Sequence, residues 1–226
     1  MRQGETAALL GADGPLAETV PGFIPREAQQ RMAEAVAQAF DDGAALAVEA
    51  GTGTGKTYAY LVPALMSGKR IVVSTGTKNL QDQLFNRDLP RVTESLRVPV
   101  RTALLKGRAN YLCLYRMKRA QGMPGLRVDP AKLRAVEEWA QSTTAGDLGE
   151  LGAYGNDELL TPRITSTADN CLGAKCADFG DCFVAKARRN AQAADLVVIN
   201  HHLLFADFLL KEEGFSVDAV HGWFNR

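Results

Sequence analysis

The chain has no surplus of charge: 26 lysines and arginines stand against 26 aspartates and glutamates in 226 residues. That balance excludes a uniformly basic nucleic-acid binder and an acidic tail as descriptions of the whole chain, so any cationic surface must be local. No apolar run approaches the ~18 residues a membrane-spanning helix needs. Met1–Leu10 lacks the basic segment and apolar stretch of a secretory signal, and the expected compartment is the cytoplasm. No internal repeat and no long low-complexity tract appears, which argues against a solenoid or a linker-rich chain. Cysteine is scarce, at four residues, and in a reducing compartment these point to metal or redox chemistry before disulfides.

What is present is enough apolar residue, 46%, for a proper core in one or two domains. The most informative stretch is Ala44–Thr57, AALAVEAGTGTGKT, where a short apolar run passes into a glycine-rich turn ending in Lys56-Thr57. A polyphosphate held by backbone N–H groups needs residues with little Cβ bulk, which Gly51, Gly53 and Gly55 supply, with Thr52 and Thr54 between them. Lys56 would reach the β- and γ-phosphates as a point charge, and the Thr57 hydroxyl would ligate Mg²⁺. The pattern departs from its strict form at Ala50, which occupies the first glycine position. Its context compensates: Leu46-Ala47-Val48 reads as a buried parallel strand before the loop, and Tyr58–Met66 as a helix after it.

The rest of the chain reads as α/β. Residues 1–20, rich in Gly, Ala and acid, are expected to form a loosely held leader. A helix opens near Arg26-Glu27-Ala28-Gln29, with Met32, Val36 and Phe40 as its core stripe. A second strand over 70–74 ends in Thr75-Gly76-Thr77-Lys78-Asn79, the kind of loop that contacts ligands at the carboxyl edge of an open sheet. A helix over 80–89 and a third strand near 98–103 follow. Further on, 129–141 and 183–194 read as helices around a polar connector, 142–161. Asp195–Asn200 reads as another buried parallel strand, ending in His201-His202, to which no chemistry is assigned.

Between Arg101 and Arg119 lie Arg101, Lys106, Arg108, Arg116, Lys118 and Arg119, with no acid and with Tyr111 and Tyr115 interleaved. Such a run suits phosphate contacts with aromatic stacking, although a solvated helix face reads the same way. Cys171, Cys176 and Cys182 form C-x4-C-x5-C in a polar loop, and Cys113 stands far upstream. Four thiolates closing a long excursion make one tetradentate site, for zinc or an iron–sulfur cluster. The spacing is looser than the paired C-x2-C of zinc ribbons, which favours the cluster.

Taken together, R-E-A-Q at Arg26–Gln29, E-A-G-T-G-T-G-K-T at Glu49–Thr57, S-T-G-T-K-N-L-Q-D-Q-L at Ser74–Leu84, K-G-R-A-N-Y-L-C at Lys106–Cys113, the three further cysteines, and D-L-V-V-I-N-H-H-L-L at Asp195–Leu204 resemble the DinG/YoaA branch of the XPD-like iron–sulfur helicases of superfamily 2. The motifs are collinear and span about Phe23 to Asp207. The resemblance implies a RecA-like parallel sheet with helices on both faces, interrupted by a mostly helical iron–sulfur insert. It implies a 5′→3′ ATP-dependent DNA helicase of repair or replication, nucleoid-associated, using ATP, Mg²⁺ and a [4Fe–4S] cluster on single-stranded or tailed and forked duplex DNA.

Position by position, the resemblance makes Arg26 and Gln29 adenine readers and Gly51–Thr57 the nucleotide loop, with Lys56 and Thr57 as the catalytic pair. It places Thr75, Thr77 and Gln81 on the single-strand path, raises the expectation that Lys106 and Arg108 touch DNA, and makes Cys113, Cys171, Cys176 and Cys182 the cluster ligands. The expected organisation is a leader over 1–20, the first part of the ATP-binding domain over 21–112, the insert over 113–185, and a return to the first domain over 186–226. The family continues to a D-E-A-H box and a second RecA-like domain, which this chain lacks. It is therefore expected to be the amino-terminal part of a helicase, or else a non-catalytic nucleotide- and DNA-binding fragment. A zinc-bearing P-loop ATPase is the weaker third expectation.

Overall fold

The computed structural model describes residues 4–123 and 127–212. Its elements run α1 (Glu5–Leu9), α2 (Pro15–Thr19), α3 (Glu27–Asp42), α4 (Lys56–Met66), β1 (Ile71–Thr75), α5 (Lys78–Gln83), α6 (Leu89–Leu96), β2 (Thr102–Leu105), α7 (Leu114–Gln121), α8 (Pro130–Ser142), α9 (Thr161–Ile164), α10 (Phe183–Ala193), β3 (Leu196–Asn200) and α11 (His201–Glu212). The architecture is α/β, and the chain divides into two compact units. The expected tail from Val217 to Phe224 lies outside the described residues.

The first unit comprises residues up to Leu104 together with Ala193–His202. Its sheet has the order β1-β3-β2, so the last strand to form in sequence sits at the centre. β1 and β3 pair in parallel from Ile71 opposite Leu196 to Thr75 opposite Asn200. β3 is apolar along its length and buried on both faces, as expected of a central parallel strand. Helices α3 and α4 pack on one another, α5 packs on β1 and β3, and α2 packs on α6. Leu61, Val62, Leu89, Val92 and Val198 form the heart of this core.

Local chemistry explains where these helices start and stop. The Thr77 side chain accepts from the Leu80 N–H and caps α5. Asp129 accepts from the Ala131 N–H and precedes Pro130, whose fixed φ suits a first helical position. Gly43, at φ 63°, closes α3 in the left-handed conformation that a helix end favours. The helix expected over 80–89 is instead α5, one π turn over Leu84–Asp88, and α6. The third strand falls at Thr102–Leu105 rather than near 98–103.

Three expectations are corrected here. Residues 4–20 are not a loose leader: α1 and α2 fold onto the first unit and bury Leu10 and Leu16 completely. Gly and Ala dominate the composition there, but a few leucines at the right spacing are enough to anchor short helices. The run Leu46-Ala47-Val48 is not a strand; residues 44–50 have no regular structure, and Leu46 and Val48 remain 45% and 43% exposed. An apolar run signals burial, but a strand also needs a neighbour for its N–H and C=O groups, and among the described residues β1, β3 and β2 pair only with each other. Third, the expected stripe of α3 holds only in part: Met32 and Phe40 pack half-buried against the core, Val36 is half-buried, and the fully buried line is Gln29, Ala33 and Ala37.

The second unit begins at Leu105 and runs to Gln192, with the described part of α11 beyond His202. It contains residues 113–185. It is mostly helical, and Leu112, Met117, Val136, Leu160, Ile164 and Phe183 form its core. An antiparallel bridge between Tyr111 and Asp147 ties its entry to the loop after α8. Among the described residues no helix is long and apolar enough to cross a membrane.

Candidate nucleotide site and cysteine cavity

In the first unit the loop from Gly51 leads directly into α4, with Gly55 as its N-cap at φ 79° and Gly53 at φ 75°. Both are in the left-handed region, where glycine alone carries no Cβ penalty. Gly55 is doubly constrained, because a Cβ there would come within 2.0 Å of Gln29 Nε2. Gln29, only 2% exposed, donates from Nε2 to the Gly55 carbonyl at 3.0 Å. Its Oε1 is buried and has no hydrogen-bond partner. Arg26, one residue before α3, is exposed.

Lys56 donates to the carbonyls of Ala50 and Gly51, each at 2.7 Å, and Thr54 Oγ1 donates to Gly51 at 2.9 Å. The ammonium thus sits in the mouth of its own loop, satisfied by carbonyls that an anion's oxygens can replace. Thr52 is exposed, and Thr57 is half-buried. Burial pushes the Tyr60 phenol up, the Thr57 hydrogen bond opposes this, and the nearby Asp88 charge adds to the rise.

At the carboxyl edge of the sheet, Ser74 and His201 share a hydrogen bond of 2.6 Å between Oγ and Nδ1, and His202 N–H donates to Asn200 Oδ1 at 2.9 Å. The His201 ring thus ties the start of α11 to β1, while His202 is held here through its backbone. Thr75 Oγ1 donates to the Thr77 carbonyl at 3.2 Å. Thr75 and Thr77 lie on this edge within reach of solvent, but Gln81 does not: it is 0% exposed and donates to the Val198 carbonyl at 3.3 Å. Gln81 fastens α5 to β3, which corrects its expected place on a DNA path.

The basic run is likewise not one open face. Arg101 pairs with Asp195, lowering the carboxyl below its ordinary range, and Lys118 pairs with Asp178. Arg116 donates to the Pro162 carbonyl at 3.0 Å. Lys106 is 6% exposed and lies 2.6 Å from Asp147, so its expected DNA contact is corrected to a buried ion pair. Breaking such a pair strands a charge and costs about 3–5 kcal/mol. Lys106→Met should therefore lower the urea midpoint of unfolding sharply, measured by far-ultraviolet circular dichroism, whereas Arg119→Gln on the exposed surface should leave it within error.

In the second unit the four cysteines, distant in sequence, line one cavity of about 460 Å³. All four are free and half-buried. Burial pushes the Cys113 thiol up, and the neighbouring Cys176, Cys182 and Cys171 act in the same direction. Cys113 is the N-cap of α7, and Cys182 precedes α10, its carbonyl accepting from the Lys186 N–H at 2.9 Å. Two sulfurs thus stand at helix N-termini, where negative charge is favoured. Arg108, Arg188 and Arg189 share the cavity wall. Arg108, expected on DNA, is half-buried on this wall. No group of three or more Cys, His, Asp or Glu among the described residues is gathered tightly enough for a single metal ion.

A glycine-rich loop opens α4, and residues 26–127 match the DEAD/DEAH box helicase family. Over nearly all its length the chain is homologous to the amino-terminal region of the YoaA and DinG helicases. It is 51% identical over 207 residues to the ATP-dependent DNA helicase YoaA of Escherichia coli, covering 90% of this chain and 32% of that protein. It is 49% identical over 216 residues to the YoaA of Haemophilus influenzae, covering 95% and 34%. To the ATP-dependent helicase DinG of Mycobacterium tuberculosis it is 41% identical over 210 residues, covering 82% and 32%. The chain thus spans about a third of the length of these curated relatives.

Proposed function

We propose that this chain supplies the ATP-binding and cluster-bearing region of an ATP-dependent 5′→3′ DNA helicase acting in DNA repair or replication. The observation that carries the reading is the loop Gly51–Thr57, with two glycines at positive φ, an N-cap on α4, and Lys56 held by carbonyls at the loop mouth. The first unit is then the first part of a RecA-like domain. Loop amides and the α4 dipole bind the phosphates, Lys56 exchanges its carbonyl partners for β- and γ-oxygens, and Thr57 offers its hydroxyl to Mg²⁺. Gln29 braces Gly55 and carries a buried acceptor without a partner, a deficit of about 1–3 kcal/mol that a base amino group can relieve. Arg26 lies beside it at the start of α3.

The second unit is then the [4Fe–4S] insert. The four thiols border one cavity, and their C-x4-C-x5-C spacing with a distant Cys113 favours a cluster over a zinc ribbon. Helix N-termini at Cys113 and Cys182, and the arginines on the wall, fit an anionic group. A cluster here supplies a rigid cross-link, and the residues' part is to hold and charge-balance it. Of the DNA contacts in the sequence reading, Thr75, Thr77 and Arg108 are within reach of solvent.

The test is strand displacement by the full-length protein from duplexes with 5′ or 3′ single-stranded tails. ATP-dependent displacement is expected only from the 5′-tailed duplex, and hydrolysis should be stimulated by single-stranded DNA. Displacement from the 3′-tailed duplex alone, or hydrolysis indifferent to DNA, would overturn the reading.

A further inference from the structure

We propose that Ser74 and His201 are positioning residues for single-stranded DNA: their hydrogen bond fixes the loop Thr75–Thr77 to the end of β3 and so holds that loop in the shape that meets the strand. The inference rests on the DNA-binding reading above and deepens it.

The loop needs holding because the sheet stops beneath it. The parallel register of β1 and β3 ends at Thr75 opposite Asn200, and beyond that point the backbone must find partners outside the ladder. Side chains supply them. Ser74 Oγ and His201 Nδ1 lie 2.6 Å apart. Asn200 Nδ2 donates to the Gly76 carbonyl at 3.5 Å, Thr75 Oγ1 donates to the Thr77 carbonyl at 3.2 Å, and Thr77 Oγ1 accepts from the Leu80 N–H at 3.2 Å. Every residue from Ser74 to Thr77 is thereby tied, Ser74 and Gly76 across to the junction of β3 and α11. The His201 ring also runs beside Gly76, where a Cβ would meet its Cδ2 at 3.7 Å and its Nε2 at 3.9 Å.

The loop so tied is exposed at Gly76 and Thr77, on the carboxyl edge where open parallel sheets contact ligands. Ordering an exposed loop costs entropy, and a loop already held in its bound shape spares that cost when the ligand arrives. The chemistry it offers is uncharged: the Thr77 hydroxyl accepts from Leu80 and keeps its own proton to donate to a phosphate or sugar oxygen, a contact that positions a strand without reading its sequence. The tie itself survives a change of tautomer. A serine hydroxyl either donates to a bare Nδ1 or accepts from Nδ1–H.

The experiment follows binding of a fluorescein-labelled thymidine oligonucleotide to the whole chain, Met1–Arg226, by anisotropy, with Mg·ATP affinity measured alongside. For His201→Ala, and equally for Ser74→Ala, we expect oligonucleotide affinity to fall about fivefold, the worth of one ordinary hydrogen bond, with Mg·ATP affinity unchanged. The double variant should lose no more than either single one, as expected for residues acting as one unit. His201→Asn, whose amide reaches the place of Nδ1, should restore affinity to within about twofold of the parent. The loss should be the same at low and high salt, because no charge contact with phosphate is removed. Parent-like affinity in both alanine variants, an additive loss, failure of His201→Asn to restore binding, an equal fall in Mg·ATP affinity, or a loss that shrinks as salt rises, the mark of a ring that itself neutralises a phosphate, would each overturn the inference and leave the DNA-binding reading intact. Failure of the parent to bind the oligonucleotide would instead overturn the DNA-binding reading, and the inference with it.

Discussion

Lys56→Ala is expected to reduce Mg·ATP affinity at least ~100-fold while moving the stability of the first unit by no more than about 1 kcal/mol. The two effects separate because of what Lys56 touches. Its ammonium contacts only the Ala50 and Gly51 carbonyls of its own loop, one bond part-buried and the other exposed, and it fills no cavity. Removing it frees two carbonyls that water can satisfy. In the bound state the same ammonium faces phosphate oxygens, and charge-assisted hydrogen bonds of that kind are each worth about 1.5–3 kcal/mol. Two of them amount to a factor of ~10²–10⁴ in binding. Calorimetric titration of ATP with MgCl₂ into both proteins measures the first effect and thermal unfolding the second. Parent-like affinity in the variant would remove the central claim about the loop. A matching fall in thermal stability would show that the lysine props up the fold instead.

The parts of this architecture legible in the sequence are those whose signal is local. The glycine-rich turn, the helix after it and the buried strand ending at Asn200 follow from glycine placement and apolar runs, and each stands close to its expected bounds. What failed depends on partners distant in sequence. Leu46-Ala47-Val48 has the composition of a strand, but pairing is a property of two segments, and none of the described strands lies beside it. Residues 4–20 looked loose because Gly and Ala carry little signal, yet Leu10 and Leu16 find a core made by α3, α4 and α6. Gln81 and Lys106 were read as DNA contacts because polar side chains in motif-bearing stretches invite that reading. Their hydrogen bond to Val198 and ion pair with Asp147 arise only once chain segments far apart come together. The cysteines stand between these cases: the fold brings Cys113 to the wall of the same cavity as Cys171, Cys176 and Cys182, an adjacency that their spacing in sequence only suggests.

Cys176→Ser is expected to bleach the protein and loosen its second unit while sparing the first. Prepared without oxygen, the parent chain should be brown and contain iron and sulfide in comparable amounts, and the variant should lose most of both. Serine nearly matches cysteine in shape, but its hydroxyl does not ionise near neutral pH, so it cannot replace a thiolate as ligand. The structural effect follows from chain length. The site joins Cys113 to the Cys171–Cys182 loop across α8 and α9, and closing so long a segment costs entropy that ligation offsets. The cysteine loop is otherwise lightly held: Leu172 and Phe179 are exposed, and one short helical turn, Gly173–Lys175, is its only regular element among the described residues. Hydrogen exchange should therefore accelerate from Cys171 to Cys182 and at the start of α7, while amides of α4 and β1, in the core of the other unit, keep their protection. Stoichiometric zinc without iron in the anaerobic parent would assign the four thiols to a single metal ion. Retention of colour by the variant would remove Cys176 from the ligand set.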